Sequence, residues 1–142
     1  MREIMNTSEA PRSGSSTRMA TQLALAPSTQ TGSLARRALR QLFESARIDR
    51  DASDTAVLLA TELVTNAVEH GRGEAQLDAA VQDQKIRLEV TDSSTVVPRP
   101  NTAVADLDER GRGLMLIDAL ASRWGVQPRQ DGKTVWCELD LA

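Results

Sequence analysis

The stretch Ala60-Thr61-Glu62-Leu63-Val64-Thr65-Asn66-Ala67-Val68-Glu69-His70-Gly71 decides the fold, because it carries two messages at helical spacing. On a helical wheel, Ala56, Val57, Ala60, Leu63, Val64, Ala67 and Val68 share one side, which predicts a face buried against a core. Glu62, Asn66 and His70 follow one another at i, i+4 steps on the opposite side, with Thr55, Thr65 and Glu69 beside them. A polar stripe of this kind is ordinarily a solvated face. This one holds a carboxylate, a carboxamide and an imidazole with no Lys or Arg among them. That donor set suits a metal and phosphate site. A magnesium ion on a nucleotide keeps phosphate and water oxygens and takes one or two protein ligands, which Asn66 could supply in part. Glu62, one turn earlier and about 6 Å along the axis, is placed to accept a proton from an attacking hydroxyl or water.

Outward from this helix the chain reads as a single domain. Its 142 residues fall in the usual range for one. Asp51 or Ser53 is a candidate cap for the helix start, and Gly71 and Gly73 end it. Before it, Ser33–Arg47 predicts another helix, with Leu34, Ala38, Leu42 and Ala46 in one stripe and Leu39 and Phe43 beside it. Thr21–Ala26 reads as a strand stopped by Pro27, and residues 1–18 as a disordered tail poor in apolar residues. After it, Ala75, Leu77, Ala79 and Val81 alternate, as do Ile86, Leu88 and Val90. The two runs form a hairpin turning at Asp83–Gln84. Ser93–Arg110 lacks periodicity and is long enough to suggest a functional loop. A third helix, Leu114–Arg123, follows Gly111-Arg112-Gly113. The last hairpin pairs Gly125–Pro128 with Lys133–Leu141 around Asp131–Gly132. The order β-α-α-β-β-loop-α-β-β predicts an α/β two-layer sandwich, with helices on one face of a mostly antiparallel sheet.

Composition narrows the function. The net charge is −3 and the aromatic residues are Phe43, Trp124 and Trp136 alone, so neither a basic footprint nor a stacking platform for nucleic acid is visible. One cysteine, Cys137, and one histidine, His70, exclude an internal disulfide framework and a multi-cysteine zinc site. Cys137 alternates with Val135, Leu139 and Leu141, which predicts a core role rather than a redox one. No run approaches a membrane span and the start is not a secretory signal, so a cytoplasmic protein is expected.

Three further motifs each admit a bland reading and a chemical one. Gly111-Arg112-Gly113 is either a helix-entry loop or a place where backbone N–H groups meet phosphate. No strand immediately precedes it, as a dinucleotide-binding unit would require. Asp92 is either a turn residue at a strand end or an acceptor for the exocyclic amine of adenine. Gly132-Lys133-Thr134 imitates the end of a P-loop, but the upstream glycine position is Gln127 and a strand follows, so it reads as a hairpin.

In this order, Ala60–Gly71, Val90-Thr91-Asp92, Gly111–Gly125 and Gly132–Trp136 resemble the anti-sigma factor serine kinases. These are the RsbW-like branch of the gyrase, histidine kinase and MutL ATPase superfamily, and the resemblance spans Met19–Leu141. It implies the Bergerat fold, the histidine kinase-like ATPase fold, with ATP held under a lid at Ser94–Arg110. It implies Asn66 as the magnesium ligand, Glu62 as the general base and Asp92 as the adenine-reading acid. Gly111 and Gly113 then face phosphate, with Arg112 and Leu114 in the same ATP-binding set and Thr134 as a supporting contact near the adenine. Asp92-Ser93-Ser94 departs from the family's Asp-x-Gly-x-Gly run. The implied activity is ATP- and Mg2+-dependent phosphorylation of a serine on an anti-anti-sigma factor, alternating with sequestration of a sigma factor. Homodimers are common in this family. The alternative is a module that binds ATP and switches partners without transferring phosphate. His70 is expected to orient or support rather than to carry a phosphoryl group. The two tryptophans are expected to pack, leaving adenine to be read at its edge by Asp92.

Overall fold

The computed structural model describes residues 17–28, 30–70, 74–93 and 109–141, with only the backbone considered at 69–70 and 109–113. The expected tail at 1–18 (but for 17–18), the lid segment 94–108, and Gly71 and Gly73 lie outside the described residues. The elements run β1 (Met19–Leu25), α1 (Thr31–Ser45), α2 (Arg50–His70), β2 (Ala75–Gln82), β3 (Lys85–Asp92), α3 (Glu109–Leu120), β4 (Arg123–Arg129) and β5 (Gly132–Asp140). One five-stranded sheet forms in the order β1-β2-β3-β5-β4, antiparallel at every junction. This is the α/β sandwich expected from the sequence.

Alternation dictates which sheet face is buried. Leu77, Ala79, Ile86, Leu88, Val90, Val135 and Cys137 meet the helices, and each is less than 9% exposed. From the helices come Ala35, Leu39, Leu42, Phe43, Ala56, Leu59, Ala60, Leu63, Val64, Leu114 and Ile117. Cys137 is fully buried, and burial pushes its thiol up to about 12, far from nucleophilic use.

Several boundaries differ from the sequence reading. Helix α1 starts at Thr31, two residues before Ser33, with the Thr31 hydroxyl donating to the Ala26 carbonyl. Its buried stripe runs through Thr31, Ala35, Leu39 and Leu42–Phe43, and leaves Leu34 at 48% exposure. The stripe sits one residue away from the expected one, because Leu39 and Phe43 belong at its centre. It ends at Ser45 through a Schellman arrangement. Ile48 N–H donates to the Phe43 carbonyl at 2.9 Å and Arg47 N–H to the Glu44 carbonyl at 3.1 Å. The left-handed position is Arg47, φ 60°, where a side chain costs about 1 kcal/mol. Arg47→Gly is therefore expected to raise stability by up to about 1 kcal/mol, measured by urea unfolding. A lower midpoint would show that the arginine side chain matters more than the backbone strain.

Asp49, rather than Asp51 or Ser53, caps α2: its carboxylate accepts from Ala52 N–H at 2.8 Å. Ser53 sits inside the helix, 7% exposed, beneath Arg40. The β2–β3 turn falls at Asp83–Gln84 as expected, with φ of 57° and 61°, the two positive angles of a type I′ hairpin. Helix α3 begins at Glu109 and includes Gly111–Gly113 in its opening turns, where the sequence suggested a loop. It stops at Leu120 rather than Arg123, because Arg123 opens β4 and reaches across to Glu138 at 2.9 Å and Asp140 at 3.2 Å. The final turn is Gln130–Asp131 rather than Asp131–Gly132, since Gly132 is already paired with Arg129.

Candidate functional site

Helix α2 presents its polar stripe at the edge of the core. Small residues on its inner face, Ala56, Val57, Ala60, Val64 and Ala67, let it lie close on α1, α3 and β3. On the other side, Glu62 and Asn66 are both half-buried. Nδ2 of the Asn66 carboxamide is buried and has no hydrogen-bond partner among the described residues. A buried polar group left unpaired costs about 1–3 kcal/mol, and native proteins keep few of them. Nδ2 is a donor, so the group that would complete its bonding is an acceptor, such as a water or a phosphate oxygen. Glu69 and His70 continue the helix backbone, but their side chains lie outside the described set.

The second half of the candidate site is the paired ends of β3 and β5. Their register sets Asp92 opposite Lys133 and Thr91 opposite Thr134. Directly opposed residues of an antiparallel pair share a face. Asp92 follows Ile86, Leu88 and Val90 at intervals of two, which puts it on the helix side. There Lys133 Nζ donates to both of its oxygens, at 2.9 and 3.0 Å. The two side chains are only 2% and 7% exposed. Thr134 turns to the other face, where its hydroxyl bonds Thr91 at 2.8 Å and accepts from Arg129 Nε at 2.6 Å. The structure thus joins Asp92 to Lys133 and keeps Thr134 on the opposite side of the sheet. Sequence reasoning missed Lys133. Its signal was available in the register: once both hairpins are aligned, the residue after Gly132 must face Asp92.

Gly132 explains how close these strands come. A Cβ built there would stand 1.9 Å from the Asp92 carbonyl oxygen, a distance no side chain tolerates. The glycine read as a turn residue is instead a packing requirement at the site. Gly111, Arg112 and Gly113 lie in the first part of α3, which packs on α2. Leu114, 2% exposed, anchors that turn in the core.

The outer sheet face has no part in this arrangement. Arg87 lies over the Trp136 ring, 4.4 Å from its centroid, and Gly125 leaves room for the indole from beneath. On the helix side of the sheet, opposite Cys137, Trp124 donates to Asp118 at 2.7 Å, tying β4 to α3. Both tryptophans therefore pack, as expected. Glu138 accepts from Arg87 and Arg123, each at 2.9 Å. Burial pushes its carboxyl up, but these two bonds outweigh that and hold it below the usual glutamate range. A lowered folded-state value contributes stability above the unfolded pKa, about 4.3, and loses it as pH falls through the folded value. Glu138→Gln should accordingly flatten the acid side of the melting-temperature profile below about pH 5. An acid limb unchanged by the substitution would assign that loss to other carboxylates.

Comparison with known proteins decides the family. The model for the histidine kinase-like ATPase domain matches residues 25–138. The chain belongs to the histidine kinase-like ATPase domain family. An uncharacterized protein of Streptomyces coelicolor is 39% identical over 82 residues, covering 55% of this chain and 78% of that one. Among solved structures, the RsbU and RsbW domains of Rv1364c from Mycobacterium tuberculosis superpose with a TM-score of 0.65 at 20% identity. That match covers 86% of this chain and 32% of the other, so the chain spans about a third of that protein, and the likeness is one of fold. A histidine kinase-like ATPase domain implies an ATP site, and the fold observed here is the Bergerat fold. The residues present fit a nucleotide in one respect that stands on geometry: the unpartnered Nδ2 of Asn66, a donor that a phosphate oxygen would satisfy, on the stripe shared with Glu62. A cation would take the carbonyl Oδ1 of the same side chain.

Proposed function

We propose that the chain is an ATP- and Mg2+-dependent protein serine kinase of the RsbW-like kind, acting on an anti-anti-sigma factor and sequestering a sigma factor when not so engaged. The observation that carries the nucleotide part of this reading is the buried, unpartnered Nδ2 of Asn66, a donor one helical turn from Glu62 that a phosphate oxygen would satisfy. Magnesium, when bound, neutralises charge on the phosphates and is held in part by Asn66. Glu62 takes the proton of the acceptor serine as the new Oγ–P bond forms and the β–γ bridging P–O bond breaks, leaving ADP. The N-terminal turns of α3 offer backbone N–H groups to phosphate, with Gly111 and Gly113 allowing close approach and Arg112 adding charge. Asp92 reads the base edge, the role that the resemblance implies for it. Partner choice rests on resemblance, as do a homodimer and a cytoplasmic location.

One observation favours a second reading. The pairing of Asp92 with Lys133 engages the base-reading carboxylate, which suits a module that binds nucleotide loosely and switches partners without phosphoryl transfer. Incubating the protein with gamma-labelled ATP, Mg2+ and a candidate anti-anti-sigma protein separates the two. Label on a serine of the partner, lost in Glu62→Gln, is the expected outcome. ATP binding with no transfer to any candidate would leave the non-catalytic module.

A further inference from the structure

The Asp92–Lys133 pair gives the base-reading edge a chemistry that a lone carboxylate lacks. A carboxylate can only accept, so by itself it selects a purine that donates there, as the amine of adenine does. Here an ammonium with three donors sits 2.9 and 3.0 Å from the same two oxygens. The register that opposes residues 92 and 133 holds it in place, and both side chains are buried. A purine with a carbonyl at position 6 presents an acceptor where adenine presents its amine. Lys133 could donate to that acceptor while Asp92 accepts from the neighbouring ring N–H. The lysine also occupies acceptor capacity that an adenine amine would otherwise use alone.

We infer that Lys133 is a specificity-determining residue, and that it lets the site take 6-amino and 6-oxo purine nucleoside triphosphates with similar affinity. The inference rests on the nucleotide site proposed above. ATP and GTP carry the same phosphates and bind the same cation, so the ratio of their affinities isolates the base edge.

The test is calorimetric titration of the full chain with Mg2+ and either ATP or GTP, repeated on Lys133→Met and Lys133→Gln. Wild type is expected to favour ATP by less than about tenfold, since one mismatched hydrogen-bonding edge ordinarily costs at least that much. The methionine variant, which has no donor, should shift the ratio toward ATP by at least about tenfold, and the glutamine variant, which keeps an uncharged donor, should shift it the same way by less. Removing a buried cation leaves Asp92 uncompensated, so melting curves accompany the titrations. The glutamine variant, which can still donate to the carboxylate, carries the test if the methionine variant does not fold. Wild-type preference for ATP above that tenfold mark, or a ratio unchanged by the substitutions, overturns the inference and leaves the nucleotide site standing. Failure of every protein to bind either nucleotide removes the site reading and this inference with it.

Discussion

Asn66→Ala is expected to weaken Mg2+-dependent ATP binding by about a hundredfold, because a site that gives the cation only one or two protein ligands cannot spare one. The same substitution should leave the ligand-free protein as stable as before or more so. Deleting an unpartnered buried donor relieves about 1 kcal/mol or more, offsetting the small loss of packing. These two directions together separate function from structure. A merely structural asparagine would lower the melting temperature when removed, and a solvated one would change neither quantity. Asn66→Asp, which keeps an oxygen at the same position, should retain more affinity than alanine does. Unchanged ATP affinity in Asn66→Ala, measured by calorimetry with and without Mg2+, would show that the carboxamide does not serve the cation.

Gly132→Ala is the second substitution with a large expected effect. The added methyl would meet the Asp92 carbonyl oxygen at 1.9 Å and the Ser93 Cα at 2.9 Å, and the obstacle is backbone, which no rotamer change can clear. Overpacking of a well-packed site costs about 1–3 kcal/mol, occasionally more. The upper end applies here, a fall in melting temperature of roughly 10 °C for a chain of this size. Because β3 and β5 must separate at this point, the Asp92–Lys133 contact should loosen too. Nucleotide selectivity would then change along with stability. A melting temperature within about 2 °C of wild type would mean that the strand ends are free to splay, at well under 1 kcal/mol.

The sandwich and the α2 stripe were legible because they rest on periodicity. Apolar residues at 56, 57, 60, 63, 64 and 67 can share one side only in a helix, and the alternation in 75–81 and 86–90 serves only a half-buried sheet. The β2–β3 turn was legible from its two-residue spacing, although neither Asp83 nor Gln84 is a glycine. Boundaries were less so. Asp49 and Asp51 are equally good caps in one dimension, and only the fold shows which carboxylate meets Ala52 N–H. A glycine signals either a turn or a close approach. Gly132 was read as the first and is the second, because the cause lies on β3, some forty residues away in sequence. Lys133 was hidden for the same reason: its significance is a cross-strand register, which no local pattern carries.

That register also has a bearing on how the molecule is made. The last strand in sequence order, β5, is an interior strand of the sheet, lodged between β3 and β4. During synthesis β1, β2 and β3 can pair and receive α1 and α2. Residues Lys85–Asp92 then wait with one edge unsatisfied until Gly132–Asp140 emerges. A nascent chain therefore exposes the edge of its own future centre, the kind of surface that invites wrong strand pairing. The two halves of the Asp92–Lys133 contact are made some forty residues apart in time, so the candidate site is among the last parts of the fold to exist.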